Sequence, residues 1–240
     1  VWQLISILIL ILLPIIVNYT VKEISLESRE NNLNNFSDLR KKNIKQWMRI
    51  EVIKDYRFYI ISLNMLAMPW IITGIFVYQS FISDSKFWDA YTIPKAFMAY
   101  SVTSIITLFS SGFLVDKFTS RKLIPLMNIP LLIGLIFIYF FDSSIIAFIF
   151  FGLIGVSNGL ANVLGSSTWA EIYGVKHIGS IKALTTALMV FSTAFGTAIF
   201  GLLIDNNYSI NLISLICSLY ISFSLILLLI FRSKIEPIEI

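Results

Sequence analysis

The feature that most constrains this chain is the recurrence of apolar runs about 20 residues long, the length at which a helix crosses the hydrocarbon core of a bilayer. Seven such runs occur: Val1–Val17, Phe58–Ile82, Ile93–Val115, Leu123–Phe141, Ile145–Trp169, Ile181–Ile204 and Ile210–Phe231. Lipid offers backbone amides and carbonyls no partner, so each run is expected to be a helix. Uninterrupted apolarity argues against a membrane barrel, whose strands would alternate. Composition agrees, with 57% hydrophobic and only 13% charged residues among 240 and a mean hydropathy of +0.84. A soluble domain of this length could not hide so much apolar surface. The fold class read from the residues is all-α transmembrane.

Val1–Val17 lacks a basic start and is followed by no small-residue cleavage site, so it reads as the end of a preceding spanning helix rather than as a signal peptide. If the segments alternate in direction, 16 of the 18 Lys and Arg fall on one side, in Asn18–Arg57, Asp116–Lys122, Glu171–Lys182 and the tail from Arg232. Only Lys86 and Lys95 fall on the other. Such an excess marks the cytoplasmic side, which puts the C-terminus there and makes the pI of about 9.1 a matter of topology. No nucleic-acid surface is read from it, and the lipid bilayer is the expected surrounding.

The organisation expected is residues 1–17 as the end of a preceding helix, 18–57 as a long cytoplasmic link, 58–232 as a six-helix domain and 233–240 as a cytoplasmic tail. The first part of the link is rich in Asn, Ser and charge and reads as a linker with a helix start near Ser37. Its second part, NIKQWMRIEVIKDYRFY, mixes Trp47, Ile50 and Ile53 with Lys and Arg, as an interfacial stretch feeding a membrane helix does.

One connection concentrates charge. GFLVDKFTSRK, Gly112–Lys122, joins two of the runs. Gly112 is expected to permit close helix approach, and Asp116 to accept amides at the next helix start or to pair with a base. On charge alone this is a short topogenic loop. The stretch also resembles the signature loop of the major facilitator superfamily, G-x-x-x-D-R/K-x-G-R/K-R/K. Gly112, Asp116, Lys117 and Arg121 match that pattern, while Thr119 stands at its second glycine and Ser120 at one of its basic positions. A second stretch, Ser167–Asp205, resembles the region of the tenth and eleventh helices of bacterial members. Within it Gly174 is expected to take a left-handed position ending one helix, and Ser180 to cap the next.

The resemblance implies the C-terminal half of a twelve-helix carrier, a six-helix bundle whose partner is the N-terminal half of the same protein. It implies a bacterial inner-membrane protein that moves a small organic solute, with or without a coupling ion, by alternating access. No cofactor is implied. The charged loop would act as a gate, with Gly112, Asp116, Lys117 and Arg121 as participants and Glu171 pairing with Lys176 or Lys182.

Polar residues inside the runs mark the candidate pathway, since they should avoid lipid. Asn158, Asn162 and Ser166 follow at i, i+4 and i+8 on one helical face. Asn64, Thr73, Tyr78 and Gln79 sit in the first complete run, Tyr100 and Thr103 in the next, and Met189 beside Thr185 and Thr186 in a later one. Each competes with a plain reading as helix–helix hydrogen bonding, worth about 1 kcal/mol or less. None of the six complete spans carries a clear Asp, Glu, Lys, Arg or His near its middle, so a carboxylate cargo would need its cation from the other half or from Lys95 reaching inward. His177 reads as a solvated loop residue and Cys217 as a small buried hydrophobe. No metal cluster or paired acids support a membrane enzyme. A non-transporting receptor or scaffold on the same fold, and a channel, are the alternatives. GFLVD at Gly112–Asp116 and GLLID at Gly201–Asp205 end corresponding helices on opposite faces, as an inverted repeat would.

Overall fold

The computed structural model describes residues 44–238 together with Ile11 and Pro14. The rest of the Val1–Val17 run, the helix start near Ser37 and most of the Asn18–Arg57 link lie outside the described residues. Lys45–Ile238 form one compact unit. It is built from α1 (Arg49–Lys54), α2 (Tyr56–Val77), α3 (Gln79–Ser85), α4 (Thr92–Phe118), α5 (Ser120–Met127), α6 (Ile129–Phe140), α7 (Ser144–Tyr173), α8 (Ile178–Asp205) and α9 (Ile210–Ile230). Six helical stretches are long and apolar enough to cross a membrane, the third being α5 and α6 taken together. The all-α transmembrane bundle is thus the observed architecture.

Successive spans reverse direction, giving the unit two ends. The basic end carries Arg57, Lys117, Arg121, Lys122, Lys176 and Arg232. The far end carries Lys86, Lys95 and Asp142.

The third span is broken where a single helix was expected. Pro130 has no amide to donate and its ring crowds the preceding turn, so α6 restarts after Asn128 with proline in its first turn. Ser157 of α7 fills the gap, its Oγ accepting from the Leu131 amide at 2.9 Å. Asn128 is fully buried and donates to the Asn64 carbonyl at 2.6 Å. At the start of α2, Asp55 accepts from the Arg57 amide at 3.0 Å, as a helix cap does.

Two helix pairs form the frame, α4 against α7 and α2 against α8. Glycines set their closeness. A methyl group at Gly155 would overlap the Tyr100 carbonyl, and one at Gly159 would overlap Thr107 and the Leu108 amide. At Gly196 it would overlap the Trp70 carbonyl, and at Gly74 the ring of Phe200. Small residues are what membrane helices use for such contact. Gly112, where close approach was expected, has nothing within 4 Å among the described residues. Gly174 has φ of +82°, a backbone that glycine tolerates. Ser180 differs from expectation. Helix α8 starts at Ile178 with His177 at the cap position, and the Ser180 hydroxyl donates back to the His177 carbonyl at 2.8 Å.

At the far end Lys86 is buried, only 1% of its side chain being exposed. Its Nζ donates to Asp142 Oδ1 at 2.5 Å, Asn211 Oδ1 at 2.7 Å and the Phe141 carbonyl at 3.4 Å. Those acceptors come from the α6–α7 turn and from the first turn of α9, so one ammonium joins three segments. A buried cation needs such partners. The longest exposed apolar faces belong to α4 and α8, which bury only 6% and 17% of an 18-residue apolar stretch, against 44–56% for the other spans. Met98, Val102, Ile106, Phe109 and Phe113 lie on the first, and Val190, Phe191 and Phe195 on the second.

Candidate functional site: a cavity between three spans and a charged connection

A cavity of about 330 Å³ lies between α2, α7 and α8, with Met127 of α5 contributing to its wall. Thr73, Asn158, Asn162, Ser166 and Met189 line it, as do Ser62, Thr185 and Thr186. The i, i+4, i+8 spacing of Asn158, Asn162 and Ser166 is the reason one helix delivers all three to one wall. Their polar groups are partly committed. Asn158 Nδ2 donates to Ser104 Oγ at 3.0 Å and Asn162 Nδ2 to the Asn158 carbonyl at 2.9 Å. Thr73 donates to the Pro69 carbonyl at 2.6 Å, and Ser166 to the Val163 carbonyl at 3.3 Å. The hydroxyl of Ser62, by contrast, is buried with no hydrogen-bond partner among the described residues.

Other pathway candidates lie elsewhere. Asn64 is fully buried and donates to Ser224 Oγ at 3.4 Å. Together with the Asn128 contact to its own carbonyl, this binds α2 to the break in the third span and to α9. Tyr78 caps the end of α2, its hydroxyl donating to the Thr197 carbonyl of α8 at 3.2 Å. Gln79 lies beyond α2 and opens the short α3. Tyr100 packs in an aromatic cluster, 5.4 Å from Phe76 and 6.2 Å from Phe97 between ring centres. Thr103 donates its hydroxyl to the Gly152 carbonyl at 2.8 Å, inside the α4–α7 contact.

Sequence reasoning passed over several groups at the cavity. Met65, Met68 and Met127 join Met189 around it, with Trp169 at the basic end. Lys182 also lines it, a residue read from sequence only as a partner for Glu171. The signal was available: Lys182, Thr185, Thr186 and Met189 follow at helical spacing.

The charged connection folds around Glu171. Helix α4 ends at Phe118, Thr119 turns the chain, and Ser120 starts α5. Glu171, in the last turn of α7, accepts from the Ser120 hydroxyl at 2.5 Å and from the Arg121 amide at 3.2 Å. Arg121 Nε lies 3.1 Å from its other oxygen. An acid at a helix N-terminus meets unpaired amides and the positive end of the helix dipole. The expected pairing with Lys176 or Lys182 therefore does not form. After Gly174 the chain departs in another direction, and the Lys176 amide donates to Gln46 Oε1 at 2.9 Å. Asp116 and Lys117 are exposed. Lys117 lies over the Phe118 ring at 5.4 Å, and Asp116 makes no ion pair among the described residues.

The tail closes this end. Arg57 is held by Asp55 at 2.7 Å and donates to the Glu236 carbonyl at 2.6 Å. The Glu236 carboxylate lies 3.7 Å from Arg121. Outside the membrane spans, the Met48 amide and then Lys45 hold the Glu51 carboxyl below its ordinary range.

A bundle of reversing apolar spans around a polar-lined cavity is the architecture of a membrane transporter. A family profile for the Major Facilitator Superfamily matches residues 56–239, and the chain belongs to that superfamily. It is a multi-pass membrane protein of the transporter class. None of the curated proteins compared with it matches.

Proposed function

We propose that this chain is the C-terminal half of a secondary active transporter, of bacterial type and seated in the inner membrane, that moves a small organic solute by alternating access. The observation that carries the reading is the cavity itself. Amides and hydroxyls from three spans meet at lipid depth, where polar groups are retained for a pathway rather than for packing. Its size suits a small organic molecule. The excess of Lys and Arg at the basic end supports that end as the cytoplasmic one, with the C-terminus inside. The domain limits proposed are 1–17, 18–57, 58–232 and 233–240. The exposed apolar faces of α4 and α8 are where the N-terminal half docks.

The gate is proposed around Gly112, Asp116, Lys117, Arg121 and Glu171. Arg121 and Glu171 hold α5 to α7 within this half. Asp116 is left to bind a cation or a helix end of the other half when the cavity opens outward, and to let go in the inward state. An interaction made in one state only is what shifts such an equilibrium.

Reconstitution of the full-length protein in proteoliposomes tests this. Saturable uptake of a labelled solute is expected, falling at least tenfold in Asn158→Ala and Asn162→Ala at unchanged protein level. Asp116→Asn should slow the cycle while leaving solute affinity intact. Single-channel currents in place of saturable uptake would make the protein a channel. Binding without either would make it a receptor on the same fold.

A further inference from the structure

We infer that the cavity accepts an amphiphilic organic monoanion, with Lys182 as the counter-charge and the methionine wall as the seat for the apolar body. This rests on the carrier reading above and names its cargo class.

Among the described residues that line the cavity, Lys182 is the one charged group. Among the described residues no acid pairs with it, and Glu171, the nearest in expectation, is committed to Arg121 and Ser120. Lysine at the rim of an apolar space keeps its ammonium toward water and its stem along the wall. There it raises the local concentration of anions, and low-dielectric walls strengthen the attraction. A cationic solute entering the same space would meet a like charge and lose its hydration without compensation.

A second observation points the same way. Ser62 lies on the α2 wall near the basic end, is 7% exposed, and its hydroxyl has no partner among the described residues. A buried donor left unpaired is costly, and an anionic oxygen is the strongest acceptor that could satisfy it. Asn158 and Asn162 have each spent one N–H on a protein acceptor, leaving the other N–H and the carboxamide oxygen as neutral groups. These can orient a hydroxyl or N–H on the solute, but they cannot balance a full charge. Lys182 can.

The remainder of the wall is soft. Met65, Met68, Met127 and Met189 surround the space, and unbranched thioethers adapt to bodies of differing shape. Recognition therefore rests on the charged head and tolerates variety in the tail.

A matched trio of probes tests the inference: 4-phenylbutyrate, 4-phenylbutyramide and 4-phenylbutylamine, which share a body and differ in head charge. Binding of radiolabelled 4-phenylbutyrate to the detergent-purified full-length protein is measured directly, with the amide and the amine as competitors. The anion should bind saturably, and the other two should compete at least tenfold more weakly. Lys182→Gln should weaken anion binding tenfold or more, and Lys182→Arg should largely keep it. Lys182 is exposed, so both variants should melt as the parent does, and the trio measured on the parent decides the head charge even without them. Equal competition by the amine or amide, unchanged affinity in Lys182→Gln, or no saturable binding of the anion would each overturn the inference. Proteoliposome uptake separates the two readings. Lys182-dependent binding without uptake would remove the carrier and keep this site. Uptake of neutral or cationic solutes by the parent, without Lys182-dependent binding of the anion, would do the reverse.

Discussion

Thr119 sits at φ 66° and ψ 144°, a backbone region that a residue with a Cβ occupies at a cost of about 1–3 kcal/mol. Its hydroxyl is buried without a hydrogen bond, so the side chain returns nothing there. The conformation is imposed from both sides. Helix α4 closes on the Thr119 amide through the Val115 carbonyl at 3.0 Å, and Glu171 anchors the first residues of α5. The family pattern has glycine at this position, and the angle gives the physical reason. Thr119→Gly should therefore stabilise the protein by about 1 kcal/mol, the relief of strain being offset in part by the freer unfolded chain. Thermal unfolding in detergent checks this, and an unchanged or lower melting temperature would mean that the turn is relaxed as it stands. The departure from glycine was visible in the sequence. The bonds around Glu171 that make it matter were not, because they join residues some fifty positions apart in the chain.

At the scale of the helix, glycine placement decides which spans touch. Gly155 and Gly159 are one turn apart on α7 and present a bare strip to α4. Gly155→Leu would drive a side chain into the Tyr100 carbonyl, a backbone atom that no rotamer change can move aside. The expected cost is about 1–3 kcal/mol or more, with loss of the folded peak in detergent gel filtration. Gly112→Leu, which meets open space in this unit, should leave that peak in place. Equal damage from both would show that the α4–α7 contact does not depend on the strip. The spans themselves were legible within a few residues, since lipid demands long apolar helices and little else. Their interruption was not read, though Pro125, Asn128 and Pro130 all stood in the third run. Proline is common in membrane helices, and only the Ser157 bond to the Leu131 amide shows that here the ladder is cut.

In the whole unit, cavity residues were legible where one helix carries several of them, as with Asn158, Asn162 and Ser166. Where a polar group is spent on a distant helix, sequence could not tell pathway from packing. Asn64 meets Ser224, and Thr103 meets the Gly152 carbonyl, pairings that exist only once the bundle has closed. Charge was legible as a shared end of the bundle and less so as chemistry: Lys182 reads as one more basic residue at that end until the cavity is seen beside it. The same contrast separates Lys86 from Lys95. Both stand at the far end, one buried within a ring of acceptors and the other exposed. An amine-acylating reagent applied to that surface should mark Lys95 and pass over Lys86. Acylated Lys86 would then serve as a timestamp, recording each occasion on which the three segments come apart.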